Sequence, residues 1–114
     1  MAGQLKRIAG PAYLAAAAAD IYTPPASTIY TVIKHIRVNN KTGAAATFTL
    51  YLGATGGSAG GTEITGLSES VPANDHKDMY FAPGLKAIST EFLSGLASAA
   101  STLTIIVMGE QHVV

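Results

Sequence analysis

The chain contains no cysteine, so neither a disulfide framework nor a thiolate metal site is open to it. Charge is almost as scarce. Only 12% of the 114 residues are charged, against about a quarter in an ordinary soluble domain. The seven basic and seven acidic residues cancel, which argues against broad electrostatic binding of nucleic acid or of an anionic membrane surface. No apolar run reaches the ~18 residues of a membrane span. The start places Lys6-Arg7 before an apolar tract, but Gly10-Pro11 interrupts it and no Leu/Val/Phe-rich centre comes after, so no signal peptide is expected. Without secretion the sequon Asn40-Lys41-Thr42 carries no weight. Motifs of hydrolytic and metal chemistry are missing too: there is no Gly-x-Ser-x-Gly, no His-x-His and no His-Glu-x-x-His.

What is present is apolar and β-forming. Hydrophobic residues make up 48% of the chain, and a surface left to Ala, Ser, Thr and Gly suits packing against neighbours. One domain is expected at this length. Residues 1–26 read as an extended N-terminal segment able to contact neighbouring subunits. Within it, Gln4 to Ile8 reads as a short strand broken by Gly10-Pro11. The alanine run Ala15 to Ala19 is either a turn of helix or an irregular edge segment. Pro24-Pro25 then fixes an extended backbone.

The densest β-branched and aromatic stretch is Ser27 to Asn39. In its second half Ile36 and Val38 point in while His35, Arg37 and Asn39 point out. In its first half both faces are apolar, with Ile29, Thr31 and Ile33 on one side and Tyr30 and Val32 on the other. Either the strand is covered on both sides there, or a bulge near Lys34 resets the alternation. Ala44 to Leu52 has the cleanest period of two, Phe48, Leu50 and Leu52 in and Thr47, Thr49 and Tyr51 out. A turn over Asn39 to Gly43 would join these two strands as a hairpin.

Downstream, Gly53 to Gly61 reads as a flexible loop, Glu63 to Leu67 as a short strand, and Val71 to Asp75 as a turn. A short strand at Met79-Tyr80-Phe81 is expected to stop at Pro83-Gly84. Leu85 to Ser101 carries a helical stripe (Leu85, Ile88, Phe92, Leu96), but its serines, threonines and Gly95 favour strand, with Glu91 to Ala97 pairing with the last segment of the chain. That segment, Thr102 to Met108, is strongly β, with Leu103, Ile105 and Val107 on one face and Ile106 and Met108 on the other. The expected fold is all-β, a small antiparallel β-sandwich or jelly-roll-like barrel of six to eight short strands.

Three constellations merit chemistry and each has a plainer reading. Gly56 to Gly61 has the spacing of a phosphate-binding loop with Thr62 after it, yet the required Lys is missing. Asp75-His76-Lys77-Asp78 could bind a divalent cation or do acid–base work, but a solvated turn accounts for it. Lys34, Arg37 and Lys41 lie near Tyr30, but a regular strand would send Lys34 and Arg37 to opposite faces, and no RNA-binding aromatic pattern accompanies them. No enzyme, cofactor or metal is expected.

The order of the segments resembles a recurring group of small virion proteins of tailed bacteriophages. The matching phrases are Tyr22 to Tyr30, His35 to Asn39, Ala46 to Leu52, Pro72 to Asn74, Tyr80-Phe81, Ser94 to Ser98 and Thr102 to Glu110. The resemblance implies a non-enzymatic structural virion protein, with a capsid decoration (head-stabilising) protein as the leading expectation. Its implied partners are the major capsid protein or another virion protein, together with copies of itself, a trimer being favoured. It would be made in the host cytoplasm and end on the capsid surface. A tail, collar or baseplate accessory protein is the runner-up. After it come a glycan-binding module using Tyr22, Tyr30, Tyr51 and Tyr80, and a metal-dependent hydrolase using His76 and Asp78. The surfaces apolar beyond need, Ile29, Thr31 and Ile33 with Ile106 and Met108, are the expected subunit interface.

Overall fold

Eight strands form two sheets in a computed structural model that describes residues 5–17, 19–53, 63–65, 69–88 and 90–113. They are β1 (Leu5–Tyr13), β2 (Ala19–Tyr22), β3 (Thr28–Asn40), β4 (Ala46–Gly53), β5 (Glu69–Val71), β6 (Asp75–Ile88), β7 (Phe92–Ala97) and β8 (Leu103–Val113). One sheet runs β1-β8-β3-β6 and the other β2-β7-β4-β5. The described residues contain no helix, and none is long and apolar enough to cross a membrane.

The order has a simple physical origin. Strand β4 pairs with β5, β3 with β6, β2 with β7 and β1 with β8, all antiparallel. These are the rungs of one long hairpin folded at the β4–β5 connection. Rolling that hairpin up adds the pairings β3·β8 and β4·β7, which complete the two sheets. The result is a jelly roll, so the all-β sandwich expected from the sequence is the observed fold, although β3, β6 and β8 are long, at 13, 14 and 11 residues.

Several expected pairings are corrected by this topology. Strands β3 and β4 are not a hairpin; they lie in opposite sheets, and His35 to Asn39 pairs with β6 and β8. Likewise the expected Glu91–Ala97 strand is present over Phe92–Ala97, but it pairs with β2 and β4 and leaves β8 to the other sheet. Gly10-Pro11 does not end β1, and Pro83-Gly84 does not end β6; both strands run on through register shifts. The N-terminal segment is built into the sandwich, β1 and β2 forming an edge of each sheet. Of the alanine run, Ala15 to Ala17 form an irregular, exposed segment between the edge strands β1 and β2, and at its start Leu14 N–H bonds Leu103 O in one sheet while Ala97 N–H bonds Ala15 O in the other. Glu63 contributes a single bridge to Tyr51, and β5 begins only at Glu69. The glycine-rich loop after Gly53 lies outside the described residues.

The core fills the space between the sheets. Ile33, Ile36, Val38, Leu50, Leu93 and Val107 are fully buried there, each worth ~1.5–3 kcal/mol in apolar transfer. Inward polar groups are matched to one another. Tyr22 Oη and Thr31 Oγ1 lie 2.8 Å apart, and Gln111 Nε2 donates to Tyr22 Oη and Thr28 Oγ1 at 3.0 and 3.2 Å. Asn40 donates to Ala44 O and Val71 O and accepts from Thr42 N and Oγ1, so one buried amide pins the crossover between β3 and β4.

The phase break in β3 is a bulge. Its registers with both β6 and β8 shift between Ile33 and His35, so Lys34 is an extra residue. Opposite it on β6 lie the four residues between Tyr80 and Leu85. The extra residue lets Ile33 and Ile36 both face the core. A second shift against β8 between Thr28 and Tyr30 releases Ile29 to the surface. On β4, Thr49 and Tyr51 are buried at 4% and 7% exposure, where the alternation alone places them outside.

Candidate interaction face

The outer face of β1-β8-β3-β6 gathers most of the chain's polar and aromatic chemistry. Antiparallel pairing sets it out in rows. One row is Met108, His35 and Tyr80; the next is Ile106, Arg37 and Asp78; the third is Thr104, Asn39 and His76. Beyond the Lys34 bulge come Glu110, Val32 and Lys86, and then His112, Tyr30 and Ile88.

Asp78 is the electrostatic centre of the first group. Arg37 donates to both carboxylate oxygens, Nε to Oδ1 at 2.7 Å and Nη2 to Oδ2 at 3.1 Å. His35 Nε2 donates to Oδ1 at 2.8 Å, and His76 Nε2 lies 3.4 Å from Oδ2. The Arg37 hydrogen bonds hold the Asp78 carboxyl well below the usual carboxylate range; partial burial opposes this and the His35 bond reinforces it. Asp78 in turn raises the Arg37 guanidinium, chiefly through the same hydrogen bonds.

Each of two tyrosines stacks on a histidine. His35 lies on Tyr80 with ring centroids 4.5 Å apart, and Tyr30 lies on His112 at 4.3 Å. The Lys86 ammonium sits 4.6 Å from the Tyr30 centroid, within cation–π range. His112 Nε2 is 3.4 Å from Glu110 Oε1. Lys34 donates to Pro83 O, tying the bulge in β3 to the wider one in β6.

The residues singled out in the sequence are thus redistributed. Of the expected interface set, Ile29 is 52% exposed, and Ile106 and Met108 are half-buried on this outer face. Thr31 and Ile33 are corrected: at 1% and 0% exposure they belong to the chain's own core, because the bulge turns them inward. The run Asp75 to Asp78 is the start of β6, not a turn. Lys77 turns inward to pair with Glu69 of β5, while His76 and Asp78 face out. Lys34 and Arg37 share one face because the bulge breaks the alternation. Among the four tyrosines considered as a platform, Tyr22 and Tyr51 are buried, and only Tyr30 and Tyr80 reach this surface. Among the described residues no group of three or more His, Cys, Asp or Glu is placed to hold a metal ion.

All four edge strands are poor templates for further pairing. β1 carries Pro11 and two register shifts, β6 carries Pro83 within its bulge, and β2 and β5 have only four and three residues. Proline, bulges and shortness are the usual devices that blunt an edge. The surface that remains open is the face itself.

No protein-family model matches the chain, and no curated protein matches it. Among solved structures, the chain is similar to one from Bacillus endospore appendages, described as a novel family of disulfide-linked pili. The TM-score is 0.52 at 16% identity, covering 100% of this chain and 91% of that one. A likeness at that identity concerns the fold, and it agrees with the two-sheet β-sandwich.

Proposed function

We propose that this chain is a non-enzymatic structural subunit of a virion, a capsid decoration protein that binds the assembled shell through the outer face of β1-β8-β3-β6. The observation that carries the reading is the location of the exposed apolar bulk among the described residues. Tyr13, Ile29, Tyr80 and Ile88, at 64%, 52%, 73% and 51% exposure, all belong to strands of this one sheet. Exposed apolar side chains gathered on one sheet, with Lys, Arg and His beside them, have the make-up of a docking surface. The blunted edges favour face-to-face contact over strand addition, and the resemblance to small phage virion proteins supplies the setting.

The test is the abundance of the protein in purified particles, with binding of the isolated chain to preassembled shells. Decoration requires copy numbers comparable with the shell protein and saturable binding. A single ring's worth of copies would move the protein to the collar or tail. Absence from particles, with no affinity for shells, would end the virion reading.

A second reading, a fibre or pilus subunit, is favoured by the fold similarity to the appendage protein. That protein is described as forming disulfide-linked pili, and this chain has no cysteine. A fibre of this chain would be held by non-covalent contacts alone, and electron microscopy of the concentrated protein under reducing conditions would show it.

A further inference from the structure

The bulges that face each other on β3 and β6 open a groove beside them. Opposite Lys34, the four residues of β6 between Tyr80 and Leu85 leave the pairing. Gly84 there lies so close to β3 that a Cβ would meet Val32 Cγ1 at 2.4 Å. The open groove measures 350 Å³, at the lower end of the range for ligand sites. Val32, Pro83 and Gly84 form its apolar lining, and Lys34 and Lys86 bring their side chains to it. Each ammonium is held by a neutral group. Lys34 donates to Pro83 O, and Lys86 sits 4.6 Å from the Tyr30 ring centroid. Among the described residues neither lysine forms a salt bridge.

The nearby acids are turned to other partners. Glu110 also borders the groove, but its Oε1 is 3.4 Å from His112 Nε2. Val32 stands between it and Lys86, a separation of two strand spacings or about 10 Å. Asp78, beyond the bulge, is bound by Arg37 and His35. Ile88, paired with Tyr30 and 51% exposed, adds apolar surface at one end.

We infer that this groove takes a carboxylate side chain from an acidic segment of a partner protein. Its oxygens accept from the Lys34 and Lys86 ammonium groups, and its aliphatic stem lies on Val32 and Pro83. The inference rests on the reading of this sheet as the docking surface, and it names the chemistry of what docks. Two cations already held in place, with no carboxylate of their own, gain charge-assisted hydrogen bonds from such a ligand with little further loss of side-chain freedom. Nucleic acid is the poorer occupant, because a phosphate backbone calls for runs of Lys and Arg, and Glu110 and Asp78 interrupt the cations on this sheet. A single contact of this kind is weak, and repetition over many linked copies makes it effective.

Amide chemical-shift mapping by NMR on the full chain tests it, with acetyl-Glu-Glu-Glu-amide as the probe and its glutamine counterpart as the neutral control, in about 150 mM NaCl. Saturable shifts are expected at Tyr30, Val32, Lys34, Gly84 and Lys86 with the glutamate peptide, with a Kd in the millimolar range, and not with the glutamine peptide. K34Q/K86Q should weaken binding about tenfold. K6Q/R7Q removes as much charge from the edge strand β1 and should leave binding unchanged. Circular dichroism melts of both variants verify folding. Equal shifts with the glutamine peptide, shifts spread over the whole molecule, or full binding by K34Q/K86Q would overturn the proposal. A tighter response to a short thymidine oligonucleotide would put nucleic acid in the groove and overturn it as well. The measurement needs no shell, so a chain that binds the peptide at this groove but has no affinity for shells supports the groove and counts against the virion reading alone.

Discussion

Arg37 and Asp78 stand directly opposite each other on β3 and β6, and two guanidinium–carboxylate bonds of 2.7 and 3.1 Å cross between the strands. Because the folded state holds Asp78 below its ordinary value, the ionised form is favoured in the native protein. The stability this adds is fully present above the unfolded carboxylate pKa of about 3.9 and is lost as pH falls below it. Asp78→Asn should therefore lower the urea midpoint at about pH 7, and the gap from the unaltered protein should close towards about pH 2.5. A gap that stays constant over that range would show that the pair contributes nothing through ionisation.

The bulge between Thr28 and Tyr30 makes two nearby isoleucines, Ile29 and Ile33, very different. Ile33→Ala should cost ~2–5 kcal/mol, since Ile33 is 0% exposed and its removal leaves a cavity. Ile29→Ala, at 52% exposure, should change stability by less than ~0.5 kcal/mol. Denaturant unfolding of the two variants distinguishes this arrangement from a strand in which both lie on one face; equal costs would contradict the bulge.

Asn40 is a buried amide with every polar atom engaged. Asn40→Ala leaves Val71 O, Ala44 O and the Thr42 N–H without that partner, and should cost ~1–3 kcal/mol. Protease cleavage within residues 41–45 should also rise, because the crossover loses its anchor. Unchanged stability and cleavage would mean that water replaces the amide without loss.

Gly10 has φ of +78°, and a Cβ placed there would collide with the Ile105 carbonyl oxygen. Gly10→Ala must accept a left-handed conformation costing ~1–2 kcal/mol and also push β1 away from β8. The expected result is a melting temperature lower by several degrees, about 4–8 °C for each kcal/mol in a domain near this size. A variant as stable as the parent would show that β1 does not approach β8 so closely.

The period-two patterns of β4 and β8 and the outward set His35, Arg37 and Asn39 are legible in the sequence, because alternation reports which face a residue takes. Alternation does not report which strand lies alongside, and so β3 and β4, neighbours in the chain, read as a hairpin while they belong to different sheets. The same limit hid the charged cluster. Lys34-to-Lys41 and Asp75-to-Asp78 are each visible as polar runs, but only the β3·β6 pairing brings Arg37 and Asp78 together across 41 residues of sequence. Between Ile29 and Val38 the break in phase is itself visible. Choosing a bulge over a double cover requires the two flanking strands, since both registers slip at Lys34.

The position of β8 bears on how the protein comes to be folded. It follows every other described strand in the chain, yet it lies inside its sheet, between β1 and β3. Neither neighbour can complete its hydrogen bonding until residues 103–113 have left the ribosome. With nearly every rung joining distant parts of the chain, folding should proceed in milliseconds to seconds. Until then, the apolar inner edges of β1 and β3 are open to other nascent chains. Removing residues 103–113 should leave an aggregating product instead of a smaller soluble domain.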